Sequence, residues 1–399
     1  MTDAAVNSET KNAPPDLLFV AAHAPGSEGW GGVVRSVHAY LRAAEILGYQ
    51  RSMIASSASL GGAVEKEKVQ RLVPGARVRL YRAWGPGKWA IGPGLFLHIA
   101  RLISADLVVI HGVRVFPLVI AAVIRATFRR PYVVVTHSGL DQLRHEQLRA
   151  RWALLFPIYR AVTLWTIQSA DVVIVSGPVE RRQLDKWVPT DHVIDVENFF
   201  DFEPSRPFCL PNSTKDYIFV GRISPDKGIL SFLRVWLRAA SPKSRLRIVG
   251  SGESDYADEV RRMANCDSRV SLYGELPSQE VYDLIKRSAI LVLPTGMDEQ
   301  VVENFGNVIV EALICGRPVM VSRRLHWDEY AGRSFIIRFE TNANDVVTKI
   351  RDFERLNAEA YAAIAQGAYD FAARFHVGNA SDRIGIVFNA VVARAKARK

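Results

Sequence analysis

Two cations and two carboxylates stand out by their spacing. Arg222 and Lys227 lie in Gly221-Arg-Ile-Ser-Pro-Asp-Lys-Gly228, where an apolar run gives way to a turn. Arginine offers a planar fork of donors and lysine a compact point charge, so the pair suits an anion with several oxygens, such as a diphosphate. If that diphosphate departs in the reaction, fixed positive charge stands where negative charge develops. Glu303 and Glu311 flank Asn304-Phe305-Gly306, where a helical pattern begins near Phe305. Gly306 keeps the first turn free of side-chain bulk, so its amides can approach an anion closely. Carboxylates beside those amides would repel the anion and must serve something else. Sugar hydroxyls are suited, because an ionised carboxylate accepts two directed hydrogen bonds from a vicinal diol. The spacing also leaves a plainer reading open, in which Glu303 caps the helix and Glu311 faces solvent.

The elements that must hold these residues alternate. Ala289 to Leu293 is an apolar run, the Glu-bearing helix ends at Gly316, and Pro318 to Val321 is the next apolar run. Strand, loop, helix, strand is a parallel-sheet unit, whose loop sits where open α/β sheets bind ligands. Leu17 to Ala22 reads as a strand entering a glycine-rich loop with Gly31 and Gly32, then a helix from Val33 to Leu47. Strands at Leu107–Ile110 and Tyr132–Thr136 end at His111 and His137. A histidine there can reach a ligand or sit hydrogen-bonded in its loop. Asp141 to Gln168 reads as one long helical segment mixing Arg144, His145, Arg149, Arg151 and Arg160 with Trp and Leu. Such a segment can pack as a domain helix, lie on anionic lipid, or do both with different faces. The strands at Asp171–Val175 and Val193–Val196 follow, and Glu203-Pro-Ser-Arg-Pro207 reads as a linker. Beyond it come strands at Leu246–Gly250 and Val270–Tyr273, with Gly274 just after, and helical patterns from Asn344 to Lys399.

Pro294-Thr followed by Glu303-Asn-Phe-Gly-Asn-Val-Ile-Val-Glu311-Ala-Leu-Ile-Cys-Gly-Arg-Pro-Val resembles the E-x7-E signature of the retaining group 1 (family 4) glycosyltransferases. The fixed positions of the family's G-R-x4-K-G motif are matched from Gly221 to Gly228, and Pro131-Tyr-Val-Val-Val-Thr-His137 is similar to its P-x-V-x-T-x-H-G segment, with Ser138 inserted before Gly139. The resemblance implies an α/β chain of two Rossmann-like doubly wound domains facing across a cleft, the glycosyltransferase-B fold. The polar first fifteen residues read as a disordered tail, and the resemblance implies an acceptor-side domain over 16–201, a donor-binding domain over 202–381, and a last helix, 382–399, packing back on the first domain. Carried over residue by residue, Glu303 meets the donor sugar and Glu311 the ribose hydroxyls. Arg222 and Lys227 hold the diphosphate, and Asn304, Phe305 and Gly306 lie at the sugar or phosphates. Gly31 and Gly32 come near the donor, Gly274 backs the nucleobase, and His137 reaches sugar and acceptor with His111 as a second candidate. The loop from Pro294 to Glu303 is longer than the family's and adds Asp298 and Glu299. The expected reaction is retaining transfer from a UDP- or GDP-linked sugar to a glycan or polyprenyl-linked acceptor in cell-surface polysaccharide or lipopolysaccharide synthesis. No cofactor or metal is expected, since no Asp-x-Asp pair occurs.

Composition narrows the rest. The chain has 399 residues, enough for two cores, and its 49% hydrophobic and 23% charged content is that of a globular protein. Three scattered cysteines argue against a disulfide framework and for a reducing compartment. No apolar run approaches a membrane span, and the N-terminus carries no secretory pattern, so a cytoplasmic protein is expected, at most peripheral on the inner face of the membrane. The net charge of +10 is uneven: the first 200 residues hold 23 Lys and Arg against 16 Asp and Glu. An anionic membrane surface is the favoured partner for that charge, and no nucleic-acid motif is present. Two other readings stand beside the transferase. A nicotinamide-dependent oxidoreductase would need the third glycine missing after Gly250-Ser-Gly252. A donor-binding scaffold without activity would keep the motifs and lose turnover.

Overall fold

The computed structural model describes residues 13–27, 31–59, 62–84, 90–113, 115–137, 149–150, 153–185, 192–202, 215–252, 254–299, 301–303, 305–325 and 327–398. Residues 1–12 of the expected tail over 1–15, the linker over 203–207, and Ser138, Arg144, His145, Arg151 and Asn304 lie outside these residues. The chain forms two compact units, one up to Asp201 together with Ala380 onward, the other Phe202–Asn379. Among the described residues, no helix is long and apolar enough to cross a membrane.

The first unit is built on β1 (Asp16–Ala21), β2 (Gln50–Ser56), β5 (Arg77–Tyr81), β6 (Leu107–His111), β7 (Tyr132–Val135), β8 (Val172–Val175) and β9 (Val193–Asp195), with a small ribbon of β3 (Ala58–Ser59) and β4 (Gly62–Ala63). The main sheet is parallel, in the order β5-β2-β1-β6-β7-β8-β9. A parallel sheet covered on both faces needs strands that are apolar throughout. Leu17 through Ala21 and Leu107 through Ile110 meet that demand, all essentially inaccessible. The edge strand β5 alternates instead, with Val78 and Tyr81 buried and Arg77 and Arg79 exposed.

The expected helical segment Asp141–Gln168 is interrupted. Residues 149–150 are helical, 153–155 form a turn, and a helix runs Phe156–Gln168. Pro157 is the physical reason, because its ring has no N–H to continue a helix from the preceding turn, while it suits a first turn.

The second unit holds β10 (Tyr217–Val220), β11 (Leu246–Val249), β12 (Val270–Leu272), β13 (Ile290–Leu293), β14 (Val319–Ser322) and β15 (Ile336–Phe339), all parallel in the order β12-β11-β10-β13-β14-β15. The helix Ile229–Ala239 packs Ile229, Leu230, Phe232, Leu233 and Trp236 against this sheet, the three-and-four spacing of one helical face. Each large side chain so buried contributes roughly 1.5–3 kcal/mol relative to exposure. Trp236, wholly inaccessible, is the change the core would feel most, at about 3–5 kcal/mol for truncation to alanine.

Candidate functional site

In each sheet the strand order reverses at one point, and there the loops leaving two neighbouring strands diverge and open a crevice for ligands. In the second unit that point lies between β10 and β13, which pair Tyr217 with Ile290 and Ile218 with Leu291. The loop after β10 carries Arg222 and Lys227, and the loop after β13 carries Glu303, Phe305 and Gly306. The structure therefore brings the two halves of the sequence signature together at one strand end.

Contacts within the pair of loops are close. The Lys227 ammonium is ion-paired with the Glu303 carboxylate, each side chain about a fifth exposed at 20% and 18%. Thr295 Oγ1 donates to the same Glu303 oxygen at 3.4 Å. Glu303 itself is held in register by a single parallel bridge to Leu325, its N–H bonding Arg324 O at 2.9 Å. Arg222 is more open, 68% exposed, with Nη2 donating to Asp226 at 3.0 Å. Gly228 begins the next helix with φ +69°, and a Cβ on it would lie 2.1 Å from Pro294 O, so only glycine lets the two loops approach this closely.

The two carboxylates do not follow the plainer reading. The helix Asn307–Ile314 is capped by Gly306 in the left-handed region, φ +70°, with no side-chain cap, so Glu303 is not its cap. The helix starts two residues later than expected because Gly306 takes that conformation. Glu311 is 2% exposed among the buried residues of this helix, which excludes a solvated face.

Several residues that support the site were not singled out by spacing. Trp327 Nε1 donates to Phe305 O at 2.9 Å, inside an aromatic cluster with Phe375 and Tyr330. A peptide's C=O and N–H point in opposite directions, so this bond also aims the Gly306 N–H. Asp298, one of the two extra acids, accepts from the Ser231 hydroxyl, from Ser231 N at 3.2 Å and from Tyr256 O–H at 2.7 Å. It ties the long loop to the first turn of the helix Ile229–Ala239, where a carboxylate is electrostatically favoured. Burial, with Asp298 beside it, pushes the Tyr256 phenol up, keeping it a donor. The Gly250-Ser-Gly252 fragment packs against the β10 loop: a Cβ on Gly250 would lie 1.9 Å from Gly221 O. Gly250 N also donates to Gly274 O at 2.7 Å, and Gly274, φ +67°, has open space where a side chain would stand.

In the first unit the corresponding point lies between β1 and β6. Gly31 opens the helix Gly31–Ile46, with Gly32 exposed in its first turn. His111 ends β6 opposite Ala21 of β1 and Val135 of β7. His137 follows β7 with φ +50°, an uncommon conformation for a residue bearing a Cβ. The two rings are joined, His111 Nδ1 to His137 Nε2, at 2.9 Å. Burial drives the acid dissociation of both rings down, that of His137 to about 4, so both are neutral near pH 7. Glu180, 2% exposed, accepts from the hydroxyl of Thr136, the residue before His137, and, at 2.8 Å each, from Ser176 N and Ser176 Oγ. Its signal in the sequence was the Ser176–Glu180 spacing at a helix start, close to a capping box.

Comparison with known proteins agrees with this architecture. The family described as Glycosyltransferase Family 4 matches residues 30–203, and that described as glycosyl transferases group 1 matches residues 214–353. An uncharacterised glycosyltransferase of Methanocaldococcus jannaschii is 30% identical over 249 residues, 56% of this chain and 58% of that protein. An uncharacterised 42.6 kDa protein of the Klebsiella pneumoniae cps region is 26% identical over 179 residues, 41% of this chain and 43% of that one. The chain thus spans about half the length of these curated relatives. The crystal structure of Anabaena HepE in complex with UDP superposes with a TM-score of 0.70 over 94% of this chain and 100% of HepE, at 20% identity. With two doubly wound parallel sheets and both family matches covering most of its length, the chain belongs to the group 1 (family 4) glycosyltransferases and has the glycosyltransferase-B fold.

Proposed function

We propose that the protein is a retaining transferase that moves a sugar from a nucleoside-diphosphate sugar, UDP- or GDP-linked, to a glycan or lipid-linked acceptor. The observation that carries this is the meeting of Lys227 with Glu303 at the β10–β13 strand ends, beside the glycine-capped helix Asn307–Ile314. Lys227, Arg222 and the amides at Gly306 would take the diphosphate, and Glu311 the ribose hydroxyls. Glu303 would hold the sugar, exchanging its contact with Lys227 for sugar hydroxyls as Lys227 turns to phosphate. Gly274, with open space above it beside Gly250, suits a flat nucleobase. HepE, whose fold this chain shares, was solved with UDP, which supports UDP as a first donor to test.

The chemistry follows from that cradle. The bond from the anomeric carbon to the phosphate oxygen breaks while the acceptor oxygen bonds the same face of the sugar. The acceptor proton passes to the departing phosphate oxygen, so no enzyme nucleophile is needed. Lys227 and Arg222 lower the barrier by meeting charge that grows on the leaving diphosphate. In this reading no metal takes part, and transfer measured with and without a chelator tests that. His137 is assigned to the acceptor side.

The first unit also presents an exposed apolar stripe, Leu154, Leu155, Ile158, Val162 and Trp165, with exposed Arg149 and Arg160 near it in sequence. A positively flanked apolar face is what an anionic lipid surface binds. It supports a lipid-linked acceptor and peripheral attachment to the inner face of the membrane. Thermal-shift measurement against a panel of nucleotide sugars tests the reading as a whole. Stabilisation by at least one UDP- or GDP-sugar and none by NAD supports it, and the reverse pattern returns the oxidoreductase alternative. Stabilisation without transfer to any acceptor would point to an inactive scaffold.

A further inference from the structure

One proton joins the two histidines at the strand ends of the first unit, and the ring that owns it decides what His137 can do. The ring centroids are 5.2 Å apart and the planes 19° from parallel. With Nδ1 of His111 and Nε2 of His137 at 2.9 Å, that is two rings meeting edge to edge along an N–H···N bond. His111 is held in its slot by Tyr40 in a T-shaped contact with ring centroids 5.1 Å apart, and Tyr40 is backed by Phe199 with centroids 4.8 Å apart. The far nitrogen of His111, Nε2, is buried and has no hydrogen-bond partner among the described residues.

We propose that His111 is a positioning residue: its Nδ1–H donates to His137 Nε2 and so fixes His137 as the tautomer that carries its own proton on Nδ1. His137 then offers an N–H donor to a substrate oxygen. The reverse arrangement would place a proton on His111 Nε2 and bury an N–H with nothing to accept it. Buried donors without acceptors are the rarer and costlier defect, whereas a bare ring lone pair is better tolerated. The tautomer of one histidine nitrogen is set by the bond the other makes, and here that bond comes from a second histidine. His137 therefore acts as a neutral donor, and the aromatic surroundings of His111 keep its ring from turning over.

This inference rests on the assignment of His137 to substrate, and the test separates the two. Two-bond proton–nitrogen correlation spectra of the protein with ¹⁵N-labelled histidine report the tautomer directly. In the unliganded protein His137 is expected to show a protonated Nδ1 and a bare Nε2. His111→Asn, which keeps an N–H donor near the Nδ1 position, should preserve that signature. His111→Leu should lose it and lower turnover about tenfold, the worth of one hydrogen bond, with KM less affected. Thermal melts of both variants identify a folding defect, which would lower both alike. A protonated Nε2 on wild-type His137, or a His137 signature unchanged in His111→Leu, overturns the proposal. Undiminished transfer by His137→Ala would instead remove His137 from the substrate while the tautomer assignment stood.

Discussion

Replacing Trp327 by Phe isolates what orients the Gly306 amide, which the proposed function gives to the diphosphate. The substitution keeps an aromatic ring against Phe305, Phe375 and Tyr330 and deletes the Nε1–H that donates to Phe305 O at 2.9 Å. Trp327 is 2% exposed, so no water is at hand to replace the donor. Leaving a buried carbonyl unsatisfied costs about 1–3 kcal/mol. The Phe305–Gly306 peptide can relieve that by rotating its carbonyl elsewhere, which turns the Gly306 N–H with it. If the rotation is complete, the nucleoside diphosphate loses one charge-assisted bond, again about 1.5–3 kcal/mol, or roughly ten- to a hundredfold in Kd. A nucleoside lacking phosphates should lose nothing. Calorimetric titration of Trp327→Phe with the preferred nucleoside diphosphate and with its parent nucleoside supplies the contrast. A variant that melts lower yet binds the diphosphate like the wild type would show that Trp327 supports only the core and would refute the reasoning.

Asp298→Asn should loosen the long β13 loop, since the amide cannot accept from the Ser231 hydroxyl, Ser231 N and Tyr256 O–H as an ionised carboxylate does. KM for the donor is expected to rise several-fold with less change in kcat, measured by steady-state transfer, and an unchanged KM would leave Asp298 out of the site's support. Gly250→Ala should be among the most damaging single-methyl changes, because the added Cβ falls 1.9 Å from Gly221 O at a φ of +134°. A thermal midpoint within a degree or two of the wild type would contradict the packing described. Acid should destabilise the first unit. His137 and His111 bind a proton far less readily folded than unfolded, that of His137 only near pH 4. Between the unfolded value of about 6.5 and the folded one, the unfolded chain therefore holds more protons, and stability falls as pH falls through that window. Denaturant midpoints at pH 7.5 and 5.0 read this, and His137→Gln should narrow the gap.

How much of this was legible beforehand depended on the range of the interactions. The Gly221–Gly228 and Glu303–Glu311 segments could be read because each packs its chemistry into one loop and the helix turn beside it. Their meeting was implied by the family resemblance, and the pairing of β10 with β13 accounts for it. Strands β2 and β5 were not singled out. Gln50-Arg51-Ser52 opens β2 with polar residues, and β5 is an alternating edge strand flanked by arginines. The break before Phe156 was readable from Pro157 and was missed because the apolar spacing runs on past it. Trp327 with Phe305, and Asp298 with Tyr256, lie 22 and 42 residues apart. Only the folded chain brings such partners together, so no local pattern announces them. Glu303 and Glu311 looked alike in spacing, yet one is ion-paired at the strand end and the other lies buried in a helix.

Nucleotide binding by the second unit's strand ends is the property from which the proposed transfer reaction follows. Calorimetry of the full chain with UDP and GDP, alongside Lys227→Ala and Glu311→Gln, measures it. One nucleotide should bind, and each variant should weaken that binding at least tenfold while melting near the wild-type temperature. Equal affinity in wild type and both variants, or no affinity for either nucleotide, would contradict the assignment of Lys227 and Glu311 to the donor.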